Sequence, residues 1–265
     1  MPYEHIHLTR DGHVVTLTLN RPDARNAMTP ALGEEVRRAV EEVRADADAR
    51  VLVVTGAGKA FSGGGDLGML ARDAGVSERA GDGMGGPPRD FYKRYLSVHS
   101  LPIPTIAAIN GHAIGAGFCF ALACDMRIAV ADAKLGMTFT KLGIHPGMGA
   151  TYFLPRLIGS ARAGELLFSG RIVDAAEAER LGILNRVVAR DAFPAALKQL
   201  ADEIAAAAPI AVRLVKRALA RGLEHSLDDA LDLESLQQSA TFQTADAREG
   251  IKAVIEKRQP QFTGT

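Results

Sequence analysis

Chemistry in this chain could be done at two glycine-rich stretches. They are Phe61-Ser62-Gly63-Gly64-Gly65-Asp66-Leu67 and Asn110-Gly111-His112-Ala113-Ile114-Gly115-Ala116-Gly117, the second leading straight into an apolar run over 118–124. Glycine lets backbone come close to a ligand or to another segment, and a loop that opens a helix presents amide N–H groups with no intrahelical partner. Two such loops facing each other can hold one developing oxyanion between them. Catalysis would then rest on main-chain donors, with side chains left to select the reaction. The same glycines suit tight turns and close helix packing. What favours the chemical reading is context, because each stretch follows a strand-like apolar run, at 51–55 and 105–110.

Two other glycine patterns do not carry a nucleotide. Gly56-Ala57-Gly58-Lys59-Ala60 lacks the glycine spacing of a phosphate loop and has no Ser or Thr after its lysine. Gly63, Gly65 and Gly68 match G-x-G-x-x-G in form, but seven residues separate the preceding strand from the first glycine, whereas a dinucleotide fingerprint begins directly after its strand. Groups near the loops that could move a proton are His112, Asp66, Lys141, His145 and the hydroxyls of Thr138 and Thr140. His112 ranks first, since it sits inside the second loop and an imidazole titrates near neutral pH. Asp66 is better explained as a cap for the turn that follows it.

The elements that must position these loops alternate between strand and helix. Ile6-His7-Leu8-Thr9 and Val14-Val15-Thr16-Leu17-Thr18-Leu19 flank Asp11-Gly12 and predict a hairpin. Thr29 before Pro30 predicts an N-cap and a helix whose charged residues form its solvated face. Uniformly apolar runs at 51–55, 105–110 and 126–130 predict strands buried on both faces, and so an α/β core. The glycine- and proline-rich segment 75–89 predicts a lid or pocket wall. Beyond about Asp191 only helical signals remain. The division expected is an α/β core with the site over 1–195 and a helical region over 196–265.

At 265 residues the chain can bury a substantial core, and its 31 basic residues balance 31 acidic ones. Global charge therefore points to neither nucleic acid nor an anionic membrane as partner. The N-terminus lacks the pattern of a secretory signal and no apolar stretch approaches a membrane span, so a cytoplasmic location is expected. The two cysteines, Cys119 and Cys124, fall five apart on a predicted helix, which rotates them apart; neither a disulfide nor a metal site is expected.

Over almost its whole length the sequence resembles the crotonase superfamily, the enoyl-CoA hydratase/isomerase group. The matching stretches are Asn20-Arg21-Pro22 with Asn26-Ala27, the segment 59–67, Pro104-Thr105-Ile106-Ala107-Ala108-Ile109-Asn110-Gly111 through Asp125, Lys134-Leu135-Gly136, 143–151, Leu154-Pro155-Arg156-Leu157-Ile158-Gly159 and Glu256-Lys257-Arg258. The resemblance implies a crotonase-like spiral of β-β-α units with a C-terminal helical region used to form a homotrimer or a dimer of trimers. It implies an acyl-CoA thioester as ligand, of the kind met in fatty acid metabolism, with no separate cofactor because coenzyme A is part of the substrate. It further implies that the backbone amides of Gly65 and Ala116 form an oxyanion hole, and that Ala24, Ala60, Ser62, Gly64, Asp66 and Leu67, with neighbouring Gly68, line the CoA and thioester groove. Arg21, Arg25 and the tail residues Lys257 and Arg258 are the cations expected near the CoA phosphates.

The sequence departs from the hydratase pattern at two places. Family hydratases handle water with two glutamates; those positions fall here on Cys119 and Phe139, the latter also a pocket-lining position. Phenylalanine does not titrate, and a thiol among apolar groups stays protonated. Hydration by a glutamate pair is therefore not expected. The expected function is enoyl-CoA hydratase/isomerase-type chemistry through a thioester enolate, with decarboxylation, thioester hydrolysis or acyl-CoA binding without catalysis as alternatives.

Overall fold

The computed structural model describes residues 2–76, 83–222 and 225–265. The chain begins with β1 (Ile6–Asp11), β2 (Val14–Leu19), α1 (Pro30–Ala45), β3 (Val51–Gly56), β4 (Ala60–Ser62), α2 (Leu67–Asp73) and α3 (Pro88–Leu96). It continues through β5 (Thr105–Ile109), β6 (His112–Ile114), α4 (Ala116–Leu122), β7 (Met126–Val130), β8 (Lys134–Gly136), α5 (Ala150–Ile158) and α6 (Ser160–Ser169). Then come β9 (Ile172–Asp174), α7 (Ala175–Arg180), β10 (Arg186–Val188), α8 (Phe193–Ala205), α9 (Pro209–Gly222), α10 (Leu227–Phe242) and α11 (Ala245–Glu256).

A six-stranded sheet runs β1-β2-β3-β5-β7-β10, and a four-stranded sheet runs β4-β6-β8-β9. The β1/β2 hairpin is antiparallel, whereas β2, β3, β5, β7 and β10 pair in parallel. Each of β3, β5 and β7 is followed within a few residues by a short strand of the second sheet, and the units starting at β3 and β5 then enter a helix. This is the expected spiral of β-β-α units. The predicted hairpin, with Gly12 at φ +57°, and the Thr29 cap, whose Oγ1 accepts from Leu32 N–H at 3.2 Å, are both present. The four residues 51–54 and all of β5 are buried, as strands covered on both faces require.

The second strand of each unit, expected from the resemblance, has no local signal: the strands of the second sheet are three residues each, too short for any periodicity to register. The segment 75–89, expected as a lid, lies partly outside the described residues; its end at Pro88 already belongs to α3.

Side chains tie the strand ends together where the loops leave the first sheet. Asn110 donates to the carbonyls of Gly56 and Gly58 at 2.7 and 3.1 Å, holding the exits of β3 and β5 in register. Asp125 anchors the C-terminal helices to the same sheet. Its Oδ2 accepts from Thr105 N–H (2.7 Å) and Thr105 Oγ1 (2.9 Å) and pairs with Lys216 Nζ of α9 at 2.7 Å. Lys216 is nearly enclosed, so removing its carboxylate strands a poorly solvated charge together with a buried amide. Asp125→Ala is therefore expected to lower the unfolding free energy by about 2–3 kcal/mol. Urea denaturation followed by circular dichroism measures this, and an unchanged midpoint would contradict the anchoring role.

Candidate functional site

The first glycine loop is shaped by a buried polar knot. Asn26 sits in the left-handed region at φ +53°; its Nδ2 donates to the carbonyls of Ala57 and Ala60 at 2.9 and 2.8 Å, and its Oδ1 accepts from Arg21 N–H at 2.9 Å. Ser62 Oγ donates to the Asn26 carbonyl at 2.8 Å and accepts from Gly64 N–H at 3.2 Å. Beyond it, Met28 N–H donates to the Gly64 carbonyl (2.7 Å) and Asp66 N–H donates to the Met28 carbonyl (3.1 Å), a single parallel bridge centred on Met28 and Gly65. In such a bridge the residues on either side of Gly65 bond to Met28, so the N–H of Gly65 itself is directed to the opposite side.

The second loop lies on that opposite side. β4 and β6 pair in parallel, Ala60 with His112 and Ser62 with Ala113, which sets 62–65 alongside 113–116. Gly64, at φ +96°, is pressed so closely that a Cβ there would stand 2.7 Å from the Ile114 carbonyl and 3.5 Å from the Ala116 nitrogen. At the second residue of the helix, a Cβ on Gly117 would meet the Ser62 side chain at 2.6 Å. Gly115 takes φ +54°, ψ −125°, a conformation for glycine, and donates to the Gly136 carbonyl at 2.7 Å; Ala116 then opens α4. Among the described residues, no backbone hydrogen bond uses the Gly65 or Ala116 amide. Gly65 is half-buried and Ala116 is 7% exposed, so two uncommitted donors stand at the margin of the core.

The remaining groove positions are distributed around this pair. Asp66 caps α2, its Oδ1 accepting from Gly68 and Met69 N–H at 3.0 and 3.3 Å, as the sequence suggests. Leu67 is largely exposed and Gly68 half-buried on the first turn of α2. Ala24 and Arg25 are exposed at a short 3-10 turn, and the position of a Gly63 Cβ lies 3.5 Å from Arg25 Cβ. Ala60 and Ser62 are buried as whole residues, Ser62 completely, so they shape the loop from beneath. Arg21 donates to the Ala27 carbonyl and lies 3.5 Å from Asp66. In the tail, Arg258 is paired with Glu249 and Glu256, which leaves Lys257, at φ +53°, as its exposed basic neighbour.

The candidate acid–base groups fall in different places. His112 starts β6 with its ring exposed, and its Nδ1 accepts from Lys134 N–H at 3.2 Å, which engages it at the β8 edge. Lys141 and His145 are exposed; Thr140 Oγ1 donates to the Leu167 carbonyl, and Thr138 is half-buried. Cys119 lies one turn along α4 from Ala116, fully buried, and burial pushes its thiol well above the ordinary range. Phe139 is half-buried against the core in a 3-10 turn over Thr138–Leu142. No carboxylate stands at either position.

One residue that the sequence reading missed is Tyr92 of α3. Its phenol faces Gly147, and burial first, with Cys119 second, holds it above the ordinary tyrosine range. Nothing around it signals a site, since it follows a glycine-rich segment on a short helix. Only the packing of α3 brings it to Gly147.

Comparison with known proteins agrees with this fold. The family model for enoyl-CoA hydratase/isomerase matches residues 9–265. The chain is 39% identical over 263 residues to the "Probable enoyl-CoA hydratase echA8" of Mycobacterium bovis, and 35% identical over 263 residues to the crotonyl-CoA hydratase of Syntrophomonas wolfei, with 99% of both chains covered in each case. Among solved structures, the enoyl-CoA hydratase of Bacillus anthracis superposes with a TM-score of 0.89 at 38% identity, covering 99% of this chain and all of that one.

The buried thiols make a direct prediction. Burial raises both Cys119 and Cys124, so the protonated, unreactive form dominates in the folded protein at neutral pH. A thiol reagent at pH 8 is expected to label neither cysteine in native protein and both in denaturant, as read by mass spectrometry. Rapid native labelling of Cys119 would show that it faces an open cleft.

Proposed function

Because this chain belongs to the enoyl-CoA hydratase/isomerase family, we propose that it binds an acyl-CoA thioester with the carbonyl oxygen between the amides of Gly65 and Ala116. There it stabilises an enolate during chemistry at the α-carbon. The observation that supports this reading is the close approach of Gly64 to Ile114 and Ala116, with no backbone hydrogen bond on the Gly65 or Ala116 amide among the described residues. Negative charge arriving on the thioester oxygen would meet donors already in place, and one such donor contributes roughly 3 kcal/mol in a comparable transition state.

Cys119 and Phe139 narrow the reaction. A carboxylate pair that activates and protonates around a water is missing at both positions, so glutamate-type hydration is not the proposed reaction. Reactions that use the oxyanion hole without that pair fit better, with decarboxylation of a malonyl-type thioester the simplest because carbon dioxide loss requires no strong base. The same two residues support one rival reading, an acyl-CoA binder without catalysis.

Exposed CoA-side positions are consistent with the proposed ligand: Arg25 and Lys257 offer cations, and Ala24 and Leu67 offer small or apolar surface. We also propose a homotrimer or dimer of trimers, because α9 to α11 leave Val215, Leu219, Leu236 and Val254 more than half exposed, an apolar surface that calls for a partner. Light scattering should give a mass of three or six chains; a monomer would contradict this.

Gly64→Ala tests the hole. The new methyl group has no room, and the backbone conformation disfavours it, so the two loops must part. Assayed on crotonyl-, 3-enoyl-, malonyl-type and aromatic acyl-CoAs, the wild type is expected to yield product from at least one. Gly64→Ala should lower kcat by about 10²–10³ on that substrate. Binding without turnover across the panel would favour the binder, and robust hydration of crotonyl-CoA would overturn the reading of Cys119 and Phe139.

A further inference from the structure

Arg21, expected near the CoA phosphates, turns its guanidinium inward. Nη1 donates to the Ala27 carbonyl at 2.6 Å and Nη2 lies 3.5 Å from Asp66 Oδ2, with the arginine side chain 25% exposed. The main chain fixes this aim. Arg21 N–H donates to Asn26 Oδ1 at 2.9 Å, and the Arg21 carbonyl accepts from Asn26 N–H at 2.8 Å, so the loop over 21–26 closes on itself and holds the base of the side chain. Ala27 precedes Met28, and Asp66 follows Gly65. One guanidinium therefore spans both segments of the bridge between Met28 and Gly65, beside the two main-chain bonds that already join them at 2.7 and 3.1 Å.

The second consequence is electrostatic. Asp66 adjoins Gly65, and consecutive Cα atoms stand about 3.8 Å apart, so its carboxylate is a fixed negative charge next to an amide that would receive an oxyanion. Uncompensated, that charge would oppose the one arriving on the thioester oxygen. The two carboxylate oxygens have separate partners: Oδ1 accepts from Gly68 and Met69 N–H at 3.0 and 3.3 Å, and Oδ2 faces Arg21. Both side chains of the pair are about three-quarters enclosed, so salt and solvent screen it only in part.

From this arrangement we propose that Arg21 is a positioning residue that acts through Asp66. It clamps the bridge between Met28 and Gly65, and it cancels the carboxylate, so that the Gly65 amide meets the thioester oxygen without a net negative charge beside it. The inference rests on the proposed function above. A contact that only stiffened the loop would be lost equally whichever partner is changed. Charge compensation instead gives the two partners opposite signs: removing the cation weakens the hole, removing the anion strengthens it, and removing both restores the balance.

The test compares wild type, Arg21→Gln, Asp66→Asn and the double variant with bound butyryl-CoA carrying carbon-13 at the thioester carbonyl, a saturated ligand that requires no turnover. Isotope-edited infrared spectroscopy reads the carbonyl stretch, which falls in frequency as the carbonyl is polarised. Calorimetry reads the affinity for butyryl-CoA and for butyryl-pantetheine. Wild type is expected to lower the frequency relative to the free thioester. Arg21→Gln should lose roughly half of that shift. Asp66→Asn, which retains a good N-cap, should deepen the shift, and the double variant should return to the wild-type value. A double variant no better than Arg21→Gln, or an unmoved carbonyl in Asp66→Asn, would overturn the assignment. So would an Arg21→Gln that loses affinity for butyryl-CoA but not for butyryl-pantetheine, since the cation would then serve the phosphates. Should Arg21→Gln fail to fold, Asp66→Asn carries the test alone. Wild type that binds butyryl-CoA without lowering its carbonyl frequency would instead remove the thioester from the Gly65 and Ala116 amides, and the role of Arg21 with it.

Discussion

Where Gly64 meets the β6–α4 junction, the chain has no space for a methyl group, and the rest of the site is arranged around that contact. The approach needs glycine at 64 for its conformation and glycine at 117 so that α4 can lie on Ser62. It also needs the bridge between Met28 and Gly65, which uses the Gly64 carbonyl and the Asp66 amide and leaves the Gly65 amide turned the other way. Asn26 and Ser62 hold the bend from beneath through buried hydrogen bonds, each of which would leave a stranded polar group if broken.

Rigid elements supply the loops. Parallel strands β3 and β5 end side by side, stitched by Asn110, and each chain then crosses to a short strand of the second sheet before it turns. The offset between the two sheets is what lets two successive units present their loops to each other. α4 is surrounded by core on every side, which fixes Ala116 and Cys119 and at the same time removes the solvent a thiol would need to ionise. A packed cysteine here is compatible with precise backbone donors and incompatible with carboxylate chemistry.

Aromatic packing performs a second positioning task. Phe61, Phe120, Tyr95 and Phe91 form a chain of ring contacts between 5.2 and 6.1 Å that joins β4, α4 and α3. Through it the helix after the glycine-rich segment is oriented by the same core that holds α4. Tyr95 and Tyr92 illustrate two uses of one residue type. The first is a buried wedge with a satisfied hydroxyl, while the second is half-buried with its hydroxyl against a glycine.

The sequence alone determined those features whose cause is local. The hairpin at Gly12, the Thr29 cap, the Asp66 cap and the buried strands follow from turn chemistry, capping and apolar runs, the two glycine loops stand out by composition, and the family resemblance singled out Gly65 and Ala116 within them. The identities of Cys119 and Phe139 likewise needed no coordinates. Tertiary structure decided what depends on segments distant in the chain: the three-residue strands of the second sheet, which exist only because a neighbour pairs with them; the side to which the Gly65 amide turns; the engagement of His112 at Lys134; and the meeting of Tyr92 with Gly147. Backbone hydrogen bonding and ring packing between remote residues set these, and no short window of sequence contains both partners.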